Sequence, residues 1–524
     1  MDQAFIERLI DFATVGAVSA FWAEVKPDRT AVYDRFGEHS YAKINGNSNR
    51  LARLFREAGL KPGDSVALFC SNRAEFIETL NATRRSGLRI TPVNWHLAAS
   101  EIAYILNDCD ARALIAETKF DTIRDAVKDA PDIALKLSVG GQADGFTSYE
   151  GAIEGIDASN LADPQIGSQM LYTSGTTGRP KGVRRPHGIA TPPMYAGTNP
   201  NYNPDKDVQM CVGPGYHAAP LAFDIAIPQA SGVPIAFIGE KWDTEEVFRT
   251  IEKRGVTHAH MVPIMFQRML AATDDLKKKY DLSSMRYFVH GAAPCPPEVK
   301  RAMIEWFGPI VYEYYAGSEG GAGFTITPQE WLQKPGSVGK RPQLLRVKIL
   351  DEEGNEQPQG KPGLIYHETQ KANPFEYYKD DKKTASAHKG DFFTLGDIGY
   401  FDEDDYLFLT GRSAEIIISG GVNIYPQEVD NEIIKHPAIE DVCTIGVPNK
   451  EWGEEVKSVI MLKAGYQPTD ALKKEIIEFV RPRLAGFKVP RSIDFVAELP
   501  RSAAGKIKRG EVRKPFWEGR KVQI

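Results

Sequence analysis

Tyr172-Thr173-Ser174-Gly175-Thr176-Thr177-Gly178-Arg179-Pro180-Lys181-Gly182 sets three glycines, four aliphatic hydroxyls and one lysine within eleven residues. Glycine and proline cost too much inside a helix for this run to be one. A loop that wraps an oligophosphate needs these residue types. Glycines let backbone N–H groups turn toward the anion, hydroxyls donate further hydrogen bonds, and Lys181 adds a mobile positive charge. Two other phosphate loops fail on register. A Walker loop requires Lys followed by Ser or Thr, whereas Lys181 stands between Pro180 and Gly182. A dinucleotide fingerprint requires GxGxxG between strand and helix; its nearest match, Gly213 to Ala218, is followed by Pro220 and has no acidic partner in place. A flexible linker would lack the patterned Thr-Thr-Gly and Pro-Lys-Gly.

Around this loop the chain runs for 524 residues, past the size at which single cores stop growing, so two or more domains are expected. Its 42% hydrophobic and 26% charged residues are ordinary for a globular protein. A net charge of −6 and a pI near 6.0 argue against a nucleic-acid binder. Cys70, Cys109, Cys211, Cys295 and Cys443 are scattered and odd in number, without a CxxC pair, so neither a disulfide framework nor a zinc site follows. The N-terminal MDQAFIERLIDF carries early acids and no cleavage pattern, unlike a signal peptide. No apolar run approaches the ~18 residues of a membrane span. The expectation is a soluble cytoplasmic protein.

The first 170 residues alternate helix-like and strand-like segments. Leu51, Leu54 and Phe55 mark a helix face within 47–58, closed by Gly59 and Pro62. A buried strand at 65–70, a helix at 74–86, a strand at 88–93, a helix at 99–107 and a strand at 113–116 follow. Such alternation predicts parallel sheets covered by helices. Strands at 208–212, 235–238, 257–262 and 286–289, with helices at 244–253 and 265–272, repeat the theme. Residues 338–365 turn to short strands and Gly/Pro turns. The expected class is α/β: a large N-terminal domain of mixed sheets with a β-rich subdomain (1–410), then a small mobile α/β domain (411–524), the break falling at Gly411-Arg412 after a strand over 406–409.

YTSGTTGRPKG resembles the phosphate-loop signature of the acyl-adenylate-forming superfamily, which includes acyl-CoA synthetases, adenylation domains and luciferases. The resemblance extends in order from Leu60-Lys61-Pro62-Gly63-Asp64 to Lys506. It implies a reaction in which a carboxylic acid and ATP give acyl-AMP, and the acyl group then passes to coenzyme A. Thr173, Ser174, Gly175, Thr176, Thr177, Gly178 and Lys181 would hold the phosphates. Gly291-Ala292-Ala293-Pro294 resembles the turn that edges the adenine, a strand-end turn being the other reading, with Glu313, Tyr314 and Tyr315 beside it. In Tyr315-Ala316-Gly317-Ser318-Glu319, similar to YGxTE with Ala316 for Gly and Ser318 for Thr, Tyr315 would stack on adenine, Ser318 donate to phosphate and Glu319 hold Mg²⁺. The rival hydrolase elbow fails at Ala316.

Asp397 and Arg412 match the two ribose positions, and Lys506 in Pro500-Arg501-Ser502-Ala503-Ala504-Gly505-Lys506 matches the lysine that meets the substrate carboxylate and α-phosphate. Thr173, Lys181, Glu319 and Lys506 are thus the expected catalytic set. His217, Val262, Tyr314, Gly320 and Gly321 would line the acyl pocket; a structural histidine is the alternative for His217. Gly420 and Gly421 would pass the pantetheine arm, and Trp452, Phe487 and Lys488 face the CoA nucleotide, with domain packing as their alternative. The hinge position, usually Asp or Lys, is Ala414. ATP, Mg²⁺ and coenzyme A are the implied small molecules, a homodimer the implied assembly. A peptide-synthetase adenylation enzyme, a fatty-acyl-AMP ligase that loads a carrier protein, a luciferase-type oxygenase and a non-catalytic nucleotide-binding protein remain as rivals, and the acid is open among long-chain, aryl and polycyclic.

Overall fold

The computed structural model describes residues 3–130, 133–173, 180–185, 200–371, 374–419, 422–449, 452–502 and 505–518. Among the described residues four sheets are formed. The first has eight strands, in the order Glu376–Tyr377, Lys181–Arg184, Ser168–Thr173, Arg89–Pro92, Ser65–Phe69, Ala111–Glu117, Leu135–Val139 and Thr147–Ser148. From Ser168–Thr173 onward its pairs are parallel, as the alternating helices demand.

The second eight-stranded sheet runs Gly320–Ile326, Val311–Gly317, Tyr287–His290, His258–Met261, Gln209–Cys211, Ile235–Phe237, Thr30–Asp34 and Gly37–Ser40. Its interior is parallel and each edge is an antiparallel hairpin. One apolar cluster joins the two sheets: Val66, Leu68 and Ile115 of the first, Val32, Ile235 and Phe237 of the second, and Trp22, Leu51, Phe55 and Phe76 from the helices between. Both faces of these strands are therefore buried, which is why they read as continuous apolar runs.

The third sheet is antiparallel and holds Ser337–Lys340, Tyr406–Arg412, Phe392–Phe401, Gly363–Glu368 and Val347–Leu350. The fourth lies in the C-terminal part, where the long hairpin Ile439–Asn449 and Gly453–Leu462 has its own core of Ile417, Val429, Val456, Ile460, Ile476 and Ile493. No helix among the described residues is long and apolar enough to cross a membrane.

Several boundaries differ from expectation; the helix expected over 47–58 starts at Tyr41, N-capped by Ser40, and two others bear on the site. The helix expected over 265–272 is Pro263–Leu270, because proline is preorganised for the first helical position and ends the preceding strand at Met261. The strand expected to stop at Leu409 runs to Arg412, since Ile398 pairs with Gly411 and Asp397 with Arg412. Gly411 and Arg412 are thus part of the third sheet, and the chain leaves it through the 3₁₀ turn Ser413–Glu415.

Candidate active site

The YTSGTTGRPKG run begins and ends in two paired strands. Ser168–Thr173 and Lys181–Arg184 pair antiparallel, with Thr173 opposite Lys181 and Tyr172 opposite Gly182. The loop ends are therefore pinned across from one another; Ser174, Gly175, Thr176, Thr177 and Gly178 lie outside the described residues. A third strand, Glu376–Tyr377, adds to Lys181–Arg184. It brings in a group that no motif marks: the Tyr377 hydroxyl donates to Glu319 Oε1 at 2.8 Å, and Lys181 Nζ sits 6.0 Å from the Tyr377 ring centroid. Arg185 joins from the same hairpin, donating to the Glu319 carbonyl at 2.7 Å. Gly320 leaves room for it, since a Cβ there would fall 2.4 Å from Arg185 Nη2.

Glu319, expected to hold Mg²⁺, presents one carboxylate with one oxygen taken by Tyr377. Among the described residues no group of three His, Cys, Asp or Glu converges on a point. A lone carboxylate fits Mg²⁺, which keeps several waters and takes other ligands from substrate phosphates.

Across the cleft the third sheet supplies Asp397, whose two oxygens are both engaged: the Tyr315 hydroxyl donates at 2.7 Å and Arg412 Nε at 2.8 Å. Burial first, then Asp397, pushes the Tyr315 phenol well above its ordinary pKa, so it stays a donor. Asp397 and Arg412 face each other because they are register partners. The turn beside Tyr315 is strained: Ala292 has φ +66°, rare for a residue with a side chain. Gly291 packs directly on Tyr314, for a Cβ there would lie 2.6 Å from Tyr314 Cε1. Such strain concentrates at sites that need a fixed shape.

Glu313 is engaged within the fold: it is buried and accepts from Lys300 Nζ at 2.7 Å, with His290 Nε2 3.5 Å away. Strand alternation puts Glu313 and Tyr315 on one face and Tyr314 on the other, and the Lys300 helix occupies the Glu313 side. Through Oε2 the carboxylate ties the strand Val311–Gly317 to the helix Pro297–Phe307.

Lys506 reaches this cleft from the C-terminal part. Its turn is tied down locally: Arg501 Nη1 donates to the Gly505 carbonyl at 2.8 Å, and the Lys506 N–H to Ser502 Oγ at 3.2 Å. Gly505 (φ +76°) lies against the N-terminal part, where a Cβ would fall 2.8 Å from Ile264 and 3.2 Å from Val262. The ammonium stands in a walled but water-accessible cleft. The surrounding protein lowers its pKa, Arg412 lowers it further, and Asp397, Glu319 and Glu415 pull it back up. His217 feels the same charge: burial and then Lys506 push its pKa down to about 4, and its Nε2 is buried with no hydrogen-bond partner among the described residues. Lys506, Val262 and His217 are thereby assembled beside Asp397, Arg412 and Glu319.

The expected CoA residues are not part of this assembly. Trp452 and Phe487 are exposed, Arg491 lies over the Trp452 ring at 5.1 Å, and Lys488 donates to both Glu428 carboxylate oxygens at 2.6 and 2.8 Å. Gly420 and Gly421 lie outside the described residues, and Ala414 sits in the 3₁₀ turn after Arg412.

A family model described as AMP-binding enzyme matches residues 20–374, and one described as AMP-binding enzyme C-terminal domain matches 428–506. An indoleacetate–CoA ligase from Aromatoleum aromaticum is 30% identical over 498 residues, covering 94% of this chain and 96% of its own. A fatty acid–[acyl-carrier-protein] ligase, ScoC, from Streptomyces coeruleorubidus is 29% identical over 513 residues, covering 96% of each. The fold is that of the anthranilate CoA ligase AuaEII in complex with anthranoyl-AMP, with a TM-score of 0.87 at 24% identity over 96% of this chain and 97% of that one. With the cleft, the match over more than half its length and these relatives in agreement, the chain belongs to the AMP-binding family of acyl-adenylate-forming, ATP-dependent ligases.

Proposed function

We propose that the chain is an AMP-forming acid:CoA ligase acting on a hydrophobic carboxylic acid. The acid's carboxylate attacks the α-phosphorus of ATP, pyrophosphate leaves, and the resulting acyl-AMP is attacked by the CoA thiol with release of AMP. Lys506 supplies positive charge at the α-phosphoryl group as negative charge develops there, where fixed charges contribute most. Asp397 and Arg412 hold the ribose, Tyr315 the adenine, and Thr173, the glycine- and hydroxyl-rich tip, Lys181 and Ser318 the phosphates. Glu319 would hold Mg²⁺, which supplies charge neutralisation between the phosphates. His217, Val262, Tyr314 and the Gly320–Gly321 pair border the acyl group.

The observation that carries this reading is the seating of Gly505–Lys506 against Val262 and Ile264, beside Asp397 and Arg412. A nucleotide-binding protein without chemistry has no use for a lysine delivered to the cleft from a separate part of the chain. Thiol transfer would follow rotation of the residues beyond Ala414 about that position, bringing Gly420, Gly421, Trp452, Phe487 and Lys488 to the cleft. Lys488 would then have to exchange Glu428 for a phosphate. That exchange, together with the likeness to ScoC, favours a second reading in which a carrier-protein thiol replaces CoA. A cytoplasmic reaction, where ATP and CoA are at hand, and a homodimer are what we expect.

The test is pyrophosphate release with a panel of carboxylic acids, with and without CoA, on wild type and Lys506→Ala. Acid-dependent release that turns over only with CoA and collapses in the variant supports the first reading. Release indifferent to CoA selects the carrier-protein ligase, and silence across the panel overturns both.

A further inference from the structure

Pro220–Ala226 is a π-helical turn, and Pro228 explains it. Proline has no N–H to offer the Asp224 carbonyl four residues back, and its ring would strike that carbonyl. The backbone widens instead, and the Ile227 N–H bonds to the Ala222 carbonyl. Such widened turns concentrate at functional sites.

This one carries Asp224 into the interior, where it is fully buried. One carboxylate oxygen accepts from the Gln209 amide at 2.6 Å and from the His260 backbone N–H at 3.1 Å. The other has no hydrogen-bond partner among the described residues and stands 3.7 Å from His260 Nδ1. On the far side of that ring, His260 Nε2 lies 3.2 Å from Tyr314 Oη.

A carboxylate beside Nδ1 favours the imidazole proton on that nitrogen. Nε2 is then the acceptor, and the Tyr314 hydroxyl donates to it. Burial, then Asp224, raises the Tyr314 pKa, so the phenol keeps its proton. Its oxygen retains lone pairs that can accept a hydrogen bond. Its neighbours are aromatic: Phe223 has its ring centroid 4.5 Å from that of Tyr314 and stacks on His260 at 5.5 Å, and Tyr287 and Tyr312 stack at 4.7 Å elsewhere in the same cluster. Gly291 lies against the Tyr314 ring, and Gly291 opens the adenine-side turn.

We propose that Asp224, His260 and Tyr314 select the acid: the substrate is an aryl or polycyclic carboxylic acid bearing an O–H or N–H group, which donates to Tyr314 Oη. Tyr314 is the specificity residue; His260 and Asp224 are positioning residues that fix which way its hydroxyl points. The inference rests on the acid-activating reading above and narrows its substrate.

ATP–pyrophosphate exchange on matched acids tests it: cinnamate, 4-hydroxycinnamate and 4-methoxycinnamate, the 2-naphthoate and 6-hydroxy-2-naphthoate pair, and octanoate to palmitate as aliphatic controls. The wild type should favour the hydroxylated member over its unsubstituted partner by about tenfold or more in kcat/KM, mostly through KM. Tyr314→Phe should bring that ratio toward one, and His260→Gln and Asp224→Asn should fall between, with ATP still raising the melting temperature of each. A wild-type ratio near one, preference for the methoxy member, or a ratio unchanged in Tyr314→Phe overturns the relay. A fatty acid as best substrate also overturns it while leaving acid activation standing. Exchange with no acid at all overturns acid activation itself.

Discussion

Lys300→Met removes one ammonium from beside the strand Val311–Gly317 and leaves the Glu313 carboxylate where it is. Lys300 is fully buried on the helix Pro297–Phe307, its Nζ 2.7 Å from Glu313 and 4.9 Å from the Trp331 ring centroid. Methionine keeps most of the volume, so the cost is electrostatic. Breaking a buried pair from one side costs about 3–5 kcal/mol, because the remaining charge has lost its partner. For a cooperative unit of about 400 residues, with an unfolding entropy near 2.1 cal/mol/K per residue, that is a drop of roughly 4–6 °C in Tm.

The pH dependence fixes the cause. Burial raises the Glu313 pKa above its ordinary 4.5 against the pull of Lys300, and losing Lys300 raises it further. A carboxyl with a raised folded-state pKa contributes stability that is complete below about 4.5 and is lost as pH rises toward the folded value. The deficit of the variant should therefore be smallest near pH 5 and largest at pH 8. Lys300→Met with Glu313→Leu should recover most of the loss. Thermal melts of the three proteins at both pH values read this out. A deficit under about 1 kcal/mol, or the same at both pH values, or a double variant no better than the single, refutes the argument.

Lys506→Ala should lower acid-dependent pyrophosphate release by about 10²–10³, the scale for removing one charge-stabilising group, while ATP still protects the fold in melts. Because Lys506 has a lowered pKa, adenylation should decline on the alkaline side at a pH below the ordinary lysine value, and Lys506→Arg should abolish that decline in whatever activity remains. Glu78 is buried with its pKa pushed up to about 7. Its stability contribution is complete below about pH 4.5 and falls by about 3 kcal/mol toward pH 7, so Glu78→Gln should flatten the wild-type loss of Tm over that window. Glu319→Gln should raise the Mg²⁺ concentration needed for half-maximal pyrophosphate release by about tenfold, whereas Tyr377→Phe, which frees Glu319 Oε1, should leave or lower it.

What could be read from the sequence was local chemistry. The loop between Thr173 and Lys181 is written in glycines, hydroxyls and a proline whose conformational demands are their own, and Asp397 and Arg412 are two strand positions with a short span between them. Tyr377 and Arg185 carry no such signal. Tyr377 meets Glu319 only because Glu376–Tyr377 adds to a hairpin nearly two hundred residues earlier, and pairing over that distance leaves no periodicity. Lys300 was readable and missed: with Met303, Ile304 and Phe307 it falls on the i, i+3, i+4, i+7 stripe, and a lysine on an apolar stripe demands a buried acid. Asp224 left a comparable trace, an acid between Pro220 and Pro228 in an otherwise apolar run.

The strand order of the two large sheets bears on how the chain reaches this state. The hairpin Thr30–Asp34 and Gly37–Ser40 joins not the sheet of the strands that follow it, from Ser65–Phe69 on, but the other one, with Val32 beside Ile235, and Glu376–Tyr377 returns to cap the first sheet beside Arg184. Each sheet thus waits for a segment about 190–200 residues away, a loop closure that slows folding. During synthesis the edge at Ile235–Phe237 finds its partner already made, but the first sheet stays open at Lys181–Arg184 until residue 377 has emerged. That exposed edge, which borders the phosphate loop, is where association with a second nascent chain would begin.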